Sequence, residues 1–294
     1  MNNSLYNIQR SRSLLDSIQE KIASGKNYNR PSDDPVSARL LVGINDKLTA
    51  GEQFDNNIKK AEIWLKMTNT AMTGMYNYVN QAKSLAASMS SGSADVNIRN
   101  SAVSQLQAIK QQLLDMGNTQ LNGVYLFAGG GGASLSTPPF TAGTPVVYNG
   151  DTRELNVEIA PGSTEKMNMV GRHLLTAVAG DPYGSINVFN TIDQLITDIT
   201  ANNVPGIQTG MQNLYQAGIQ LESAQTVVGT RLLRLDGAEK MNASTKNTLQ
   251  TVFGNVQNAD YAKLAVEMSQ QQTAFEATLS STAKISQMSL LDFL

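Results

Sequence analysis

Along the C-terminal half of this 294-residue chain, apolar residues return every seven positions: Ile207, Leu214, Leu221, Val228, Leu235, Leu249 and Val256, with Asn242 the one polar residue in the row. A repeat of this kind is a coiled-coil seam. At ~1.5 Å per residue a helix over the whole row would be roughly 75 Å long. The row four residues on, Met211, Gly218, Gln225, Leu232, Glu239, Lys246 and Phe253, is only intermittently apolar, so such a helix needs partners along its length. Asn242 reads as a register-setting residue or a solvated gap rather than a site.

The N-terminal part carries the same texture. Ile8, Leu15 and Ile22 recur with Leu14 and Ile18 between them, while Arg10, Arg12, Asp16 and Glu20 lie off that line, which predicts an amphipathic helix ending at Gly25. Lys26-Asn-Tyr-Asn-Arg-Pro-Ser-Asp-Asp-Pro35 cannot continue it. Asp34 followed by Pro35 is an N-cap with proline at the first helical position, and Asp33 adds negative charge at the positive end of the next helix dipole. That helix is long: Ile44, Gly51, Ile58, Leu65, Met72, Val79 and Ala86 form one row, and Phe54, Ala61, Thr68, Met75, Ala82 and Met89 a second. Trp64 packs at the margin of the seam. Ser91-Gly-Ser makes a turn, and Leu106, Ile109, Leu113 and Met116 predict a shorter helix folding back antiparallel.

Between the helical halves the pattern changes. Val124-Tyr-Leu-Phe-Ala128 is a β-type run leading into four glycines, read as a flexible connection. Val146-Val-Tyr precedes Asn149-Gly150, a strong two-residue hairpin signal, and beyond it Leu155, Val157 and Ile159 alternate with Glu154, Asn156 and Glu158. Helical spacing returns near Asp181-Pro182 with Val188, Ile192, Leu195 and Ile199. After Val256 the phase slips, and Tyr261, Leu264, Met268, Phe275, Leu279 and Ile285 outline a last amphipathic helix whose seam includes Gln271, Thr278 and Thr282. Both terminal helices are so weakly apolar that they are expected to be partly ordered in a monomer and completed by neighbours.

These elements give a mainly α fold with a β-rich insertion, in an elongated antiparallel bundle of coiled-coil type. The expected division is a terminal helix and turn over 1–35, helical segments over 36–124 and 181–257, the insertion over 125–180 and a second terminal helix over 258–294.

Composition narrows the function. Aromatics are only 6% against 41% hydrophobic residues, which disfavours one large globular core. A net charge of −2 gives no reason to expect nucleic acid. With no cysteine there is no disulfide, zinc-thiolate site or thiol catalysis. No apolar run is long enough to span a bilayer and no signal peptide is visible, so neither a membrane partner nor export by the general route is expected. His173 is the single histidine, which excludes a two-histidine metal site and leaves a structural or solvated role. Gly129 to Gly132 lacks the phosphate-loop lysine, and Asp33 with Asp34 are explained by capping better than by acid–base chemistry. No cofactor, metal or catalytic residue is predicted, and the chain is read as a non-enzyme.

Ile22-Ala-Ser-Gly-Lys-Asn-Tyr-Asn-Arg-Pro-Ser-Asp-Asp-Pro-Val-Ser-Ala-Arg39 resembles the N-terminal signature shared by bacterial flagellins and flagellar hook-associated proteins. The Pro-Ser-Asp-Asp-Pro form is similar to the hook-associated protein 3 branch, whereas filament flagellins more usually have an Ala-Lys-Asp-Asp-Ala-Ala type of sequence. Leu113 to Gly129 and the terminal Ser-Leu-Leu-Asp-Phe-Leu294 are similar to the same branch. The resemblance implies an extracellular structural protein of the flagellum, set between hook-associated protein 1 and the flagellin filament as a ring of its own copies. It also implies export through the flagellar type III apparatus and a cytoplasmic chaperone on the C-terminal helix. Ile8, Leu15, Ile22, Leu264, Met268, Phe275 and Leu279 would line an intersubunit helical core, and Arg30, Asp33 and Asp34 would organise polymer contacts from the connecting segment. A filament-forming flagellin is the alternative, and an adhesive or enzymatic surface protein a more distant one.

Overall fold

The computed structural model describes residues 2–131 and 137–291; Gly132 of the glycine run and the terminal Asp-Phe-Leu lie outside them, as does the side chain of Ile285. The chain is mainly α with a small β-rich insertion, as expected. Seven α-helices are described: α1 (Asn2–Ser24), α2 (Pro35–Met89), α3 (Val96–Gly117), α4 (Arg172–Leu175), α5 (Val188–Thr200), α6 (Val204–Gln257) and α7 (Tyr261–Leu291). They fall into two compact units, one of residues 1–51 and 243–294, the other of residues 52–242, and α2 and α6 contribute to both.

The unit of residues 52–242 holds a dry core. Ile58, Leu65, Met72, Val79 and Ala86 on α2 are buried together with Ala61, Thr68, Met75, Ala82 and Met89, so both predicted rows face inward. Trp64 sits at their edge, 9% exposed. Leu106, Ile109 and Leu113 of α3 and Val188, Ile192, Leu195 and Ile199 of α5 complete the cluster. Asp95 caps α3 by accepting from the amides of Asn97 and Ile98 at 2.7 and 3.0 Å. The Lys110 ammonium joins α3 to α5 through Asp193 at 2.6 Å.

Helix α6 runs antiparallel to α2 within this unit. The Asn242 amide donates to the Asp55 carboxylate, Gln225 donates to the Thr73 hydroxyl at 3.0 Å, and the Lys83 ammonium lies 5.5 Å from the Tyr215 ring centre. Asn242 is therefore a register-setting residue, pairing the seam with one position of α2. Ile207, Leu214, Leu221, Val228 and Leu235 are buried as the repeat predicts. The companion row differs from the expected one. It lies three residues on, at Gly210, Ala217, Ala224 and Arg231, all buried. Gly210 leaves room for the Leu195 side chain, where an added Cβ would lie 2.5 Å away, and smallness leaves no hydropathy signal to read.

The insertion is three separate antiparallel hairpins rather than one sheet: β1 (Gln120–Leu121) with β2 (Val124–Tyr125), β3 (Phe140–Thr141) with β4 (Val147–Tyr148), and β5 (Asn156–Ala160) with β6 (Ser163–Lys166). The hairpin expected at Asn149-Gly150 does not form. Instead Asn122-Gly123, with φ of 52° and 79°, makes the primed turn between β1 and β2, and Pro161-Gly162 turns β5 into β6. The reason lies in Asp151. Its carboxylate accepts from the Gly130 amide at 2.7 Å, and its own amide donates to the Ala128 carbonyl at 3.0 Å, so the chain after Gly150 is drawn to the glycine run. Gly129 approaches so closely that an added Cβ would lie 2.2 Å from the Asp151 carbonyl oxygen, and Gly129–Gly131 form a tight 3-10 turn rather than the loose connection expected. Burial alone would raise the Asp151 carboxyl, but hydrogen bonds from Arg153 and Gly130 outweigh it and hold it below the ordinary carboxylate range.

Two polar side chains of α6 fasten the insertion to the bundle. Gln220, 1% exposed, accepts from the Ile186 amide at 3.0 Å and donates to the Leu174 and Ile186 carbonyls at 2.8 and 3.2 Å. Arg231 donates to the Asn168 carbonyl at 2.7 Å. Asn168 in turn holds Leu155 and Arg153 of the facing segment. His173 is structural: its Nδ1 lies 2.8 Å from the Asp181 carboxylate, which also takes the Arg172 guanidinium at 2.6 Å.

Candidate assembly interface

The other unit is organised by the joining of the two terminal helices. Gly25 ends α1, and its carbonyl accepts from the Ala259 amide at 2.9 Å while the Asn27 amide donates to the Gln257 carbonyl at 2.8 Å. The Asn27 side chain adds a 3.0 Å bond to the Asn258 carbonyl. These bonds tie the exit of α1 to the entry of α7. Asp260 caps α7 by accepting from the Ala262 and Lys263 amides at 3.0 and 3.1 Å, an Asx signal carried by the sequence just before Tyr261.

From this joint α1 and α7 pair antiparallel. The shielded stripe of α1 is Ile8, Ser11, Leu15, Ile18 and Ile22, and that of α7 is Leu264, Met268, Gln271, Phe275, Thr278 and Thr282. Gln271 donates to the Ser11 carbonyl at 3.5 Å. The expectation of partly ordered ends differs from this structure, in which each end is helical and lies against the other. The two weak seams close on one another, yet thinly: among the described residues, Leu264 is the only apolar side chain of the pair that becomes buried. Six of the seven residues expected to line an intersubunit helical core sit instead on this seam within the chain. Leu279 does not; it flanks the stripe and is 43% exposed. Leu5, Tyr6, Leu14, Tyr261 and Val266 are likewise exposed, so the pair carries apolar surface on its outer faces.

The connecting segment bears the three predicted polar residues. Asp34 caps α2 by accepting from the Val36 and Ser37 amides at 3.1 and 3.0 Å. Hydrogen bonds from Ser37 hold its carboxyl below the ordinary range. Asp33 accepts from the Arg30 amide at 3.0 Å and from the Asn29 amide at 3.3 Å, closing the turn. Arg30 is exposed. Asp33 and Asp34 line a cavity of about 480 Å³ with Lys21, Asn27 and Tyr28. The Tyr28 hydroxyl is buried without a hydrogen-bond partner among the described residues, and burial raises it above the usual phenol range, with the Asp34 carboxylate adding to the rise. No group of three or more His, Cys, Asp or Glu capable of holding a metal occurs among the described residues, and no described helix is long and apolar enough to cross a membrane.

Two long helices with heptad seams and a joined pair of terminal helices define a mainly helical protein. Residues 1–131 match the bacterial flagellin N-terminal helical region. The chain is similar to flagellar hook-associated protein 3 of Salmonella typhimurium, at 21% identity over 93% of this chain and 90% of that protein. Among solved structures, a Vibrio parahaemolyticus chain assigned to the flagellar hook-associated proteins superimposes with a TM-score of 0.69 at 21% identity, covering 77% of this chain and all of the other. The flagellar junction protein FlgL of Legionella pneumophila does so with a TM-score of 0.60 at 16% identity, over 74% of this chain and 99% of the other.

Proposed function

We propose that this protein is a structural junction component of the bacterial flagellum, an adaptor linking hook-associated protein 1 at the hook end to the flagellin filament. The observation that carries the reading is the thin closure of α1 on α7: among the described residues the seam buries one apolar side chain, Leu264, and leaves Leu5, Leu14, Val266 and Leu279 exposed. A helix pair of that kind gains little by ordering alone and much by packing against further copies. Ordering of the ends and assembly then share one free-energy term. Ile8, Leu15, Ile22, Leu264, Met268 and Phe275 hold the two helices together, so that neighbouring copies pack on the outer faces at Leu279, and Arg30, Asp33 and Asp34 meet them from the connecting segment.

The likeness to hook-associated protein 3 over nearly the whole chain supports the junction over the filament role. Export through the flagellar type III apparatus, with a chaperone shielding the apolar face of α7 beforehand, fits a chain whose ends must stay unassembled in the cytoplasm. The test is a flagellated cell lacking its own junction protein and flagellin, supplied with this chain. It should cap the hook tip as a short collar; long filaments of this chain alone would place it with the flagellins instead.

A further inference from the structure

The chain contains two Asn-Gly pairs, and the structure treats them oppositely. Asn149 is held: its carboxamide donates to the Thr141 hydroxyl and, at 3.1 Å, to the Pro138 carbonyl. Asn122 is exposed at the tip of the β1–β2 hairpin, and among the described residues its carboxamide makes no hydrogen bond. The residue after it is a glycine, whose amide no side chain shields and which, in a two-residue hairpin, is not the amide bonded across the turn.

We infer that Asn122 is a site of spontaneous covalent modification, deamidating through a succinimide, while Asn149 is protected. The deprotonated Gly123 amide nitrogen attacks the Asn122 side-chain carbonyl carbon; the new N–C bond forms as the Cγ–Nδ2 bond breaks, and ammonia leaves. Water then opens the ring at either carbonyl, giving aspartate or isoaspartate, with no oxidant or reductant involved. The two products differ in consequence. Aspartate tolerates the left-handed backbone of position 122 and keeps the turn, with one added negative charge. Isoaspartate lengthens the main chain by one carbon at the turn and removes the pairing of Gln120 with Tyr125.

The experiment incubates the full chain at mildly alkaline pH in water enriched in heavy oxygen and follows chymotryptic peptides by mass spectrometry, since cleavage after Tyr125, Phe127 and Phe140 separates Asn122 from Asn149. The peptide containing Asn122 should acquire the mass of an acid bearing heavy oxygen and split into aspartate and isoaspartate forms, with that of the N122D variant as the reference for one of them. The peptide containing Asn149 should remain unchanged over the same period. In T141V, which removes one restraint and weakens the other, Asn149 should modify up to about thirtyfold faster, the ratio corresponding to about 2 kcal/mol of carboxamide restraint. Modification of Asn149 before Asn122, an inert Asn122, or no acceleration in T141V despite an unchanged circular dichroism spectrum would each overturn the inference.

Discussion

In the unit of residues 52–242, α6 buries Ile207, Leu214, Leu221, Val228 and Leu235; in the unit of residues 1–51 and 243–294 the same seven-residue step reaches Leu249 and Val256, which stay partly exposed. The seam is one pattern on one helix, and its fate changes at Asn242. In the first unit α6 has α2 and the docked insertion as neighbours, with α3 and α5 completing the core. In the second, Ile44 and Leu264 are the only apolar side chains fully buried among the described residues. A heptad repeat thus states that a helix wants partners, but not whether the same chain supplies them.

The sharpest test of that difference is a pair of truncations. Leu65 is fully buried beside Trp64, the only tryptophan, so Leu65→Ala should cost about 3 kcal/mol in denaturant unfolding followed by Trp fluorescence. Leu15→Ala, on the thin seam of α1, should leave that transition in place. Equal losses would mean that the two units are not energetically distinct.

Gln220 tests whether polar staples, rather than the hairpins themselves, hold the insertion. Gln220→Ala leaves the Ile186 amide and the Leu174 carbonyl without their partner, and removing buried partners costs about 2 kcal/mol. Hydrogen exchange should rise over 174–187 while α3 keeps its protection. Unchanged exchange there would show that packing alone suffices.

The two helix caps compare the units at the level of one side chain. Asp95→Ala should cost about 1 kcal/mol in the Trp-detected transition. Asp34→Ala should fray the first turn of α2 instead and leave that transition alone, a loss visible as exchange at Val36 and Ser37. Because the Asp34 carboxyl is depressed in the folded state, its contribution is complete above the unfolded carboxylate range near ~3.9 and fades as pH falls through the lower folded value. Wild type and Asp34→Ala should therefore converge in strong acid. A difference that persists there would remove the charge from the explanation.

Much of this was legible beforehand, and the failures have physical causes. The rows at Ile58 and Ile207, the cap at Asp34-Pro35 and the return of α3 all follow from periodicity and turn chemistry. The buried companion row of α6 was invisible because Gly210, Ala217 and Ala224 act by being small, and Arg231 by reaching a carbonyl contributed from far along the chain. Asn149-Gly150 has the local chemistry of a hairpin, but Asp151 gains more from Gly130, and only tertiary structure holds that information. At the candidate interface, six apolar positions were readable from spacing; the joint made by Asn27 with Gln257 and Asn258 was not, since main-chain pairing has no sequence signature.

The smallest effect on the free chain is expected from Leu279→Asp, and it is the most informative about assembly. Leu279 is 43% exposed and off the α1–α7 seam, so the substitution replaces a half-exposed side chain and should change monomer stability by no more than about 0.5 kcal/mol. If further copies pack on the outer face of α7, the same change places a carboxylate in an apolar contact, where an unpaired charge is strongly disfavoured. Thermal melting of the monomer should be nearly unaffected while incorporation at the hook tip is lost. A marked fall in melting temperature with normal incorporation would reverse the assignment, making Leu279 part of the fold and returning the role of the outer face to Leu5, Leu14 and Val266.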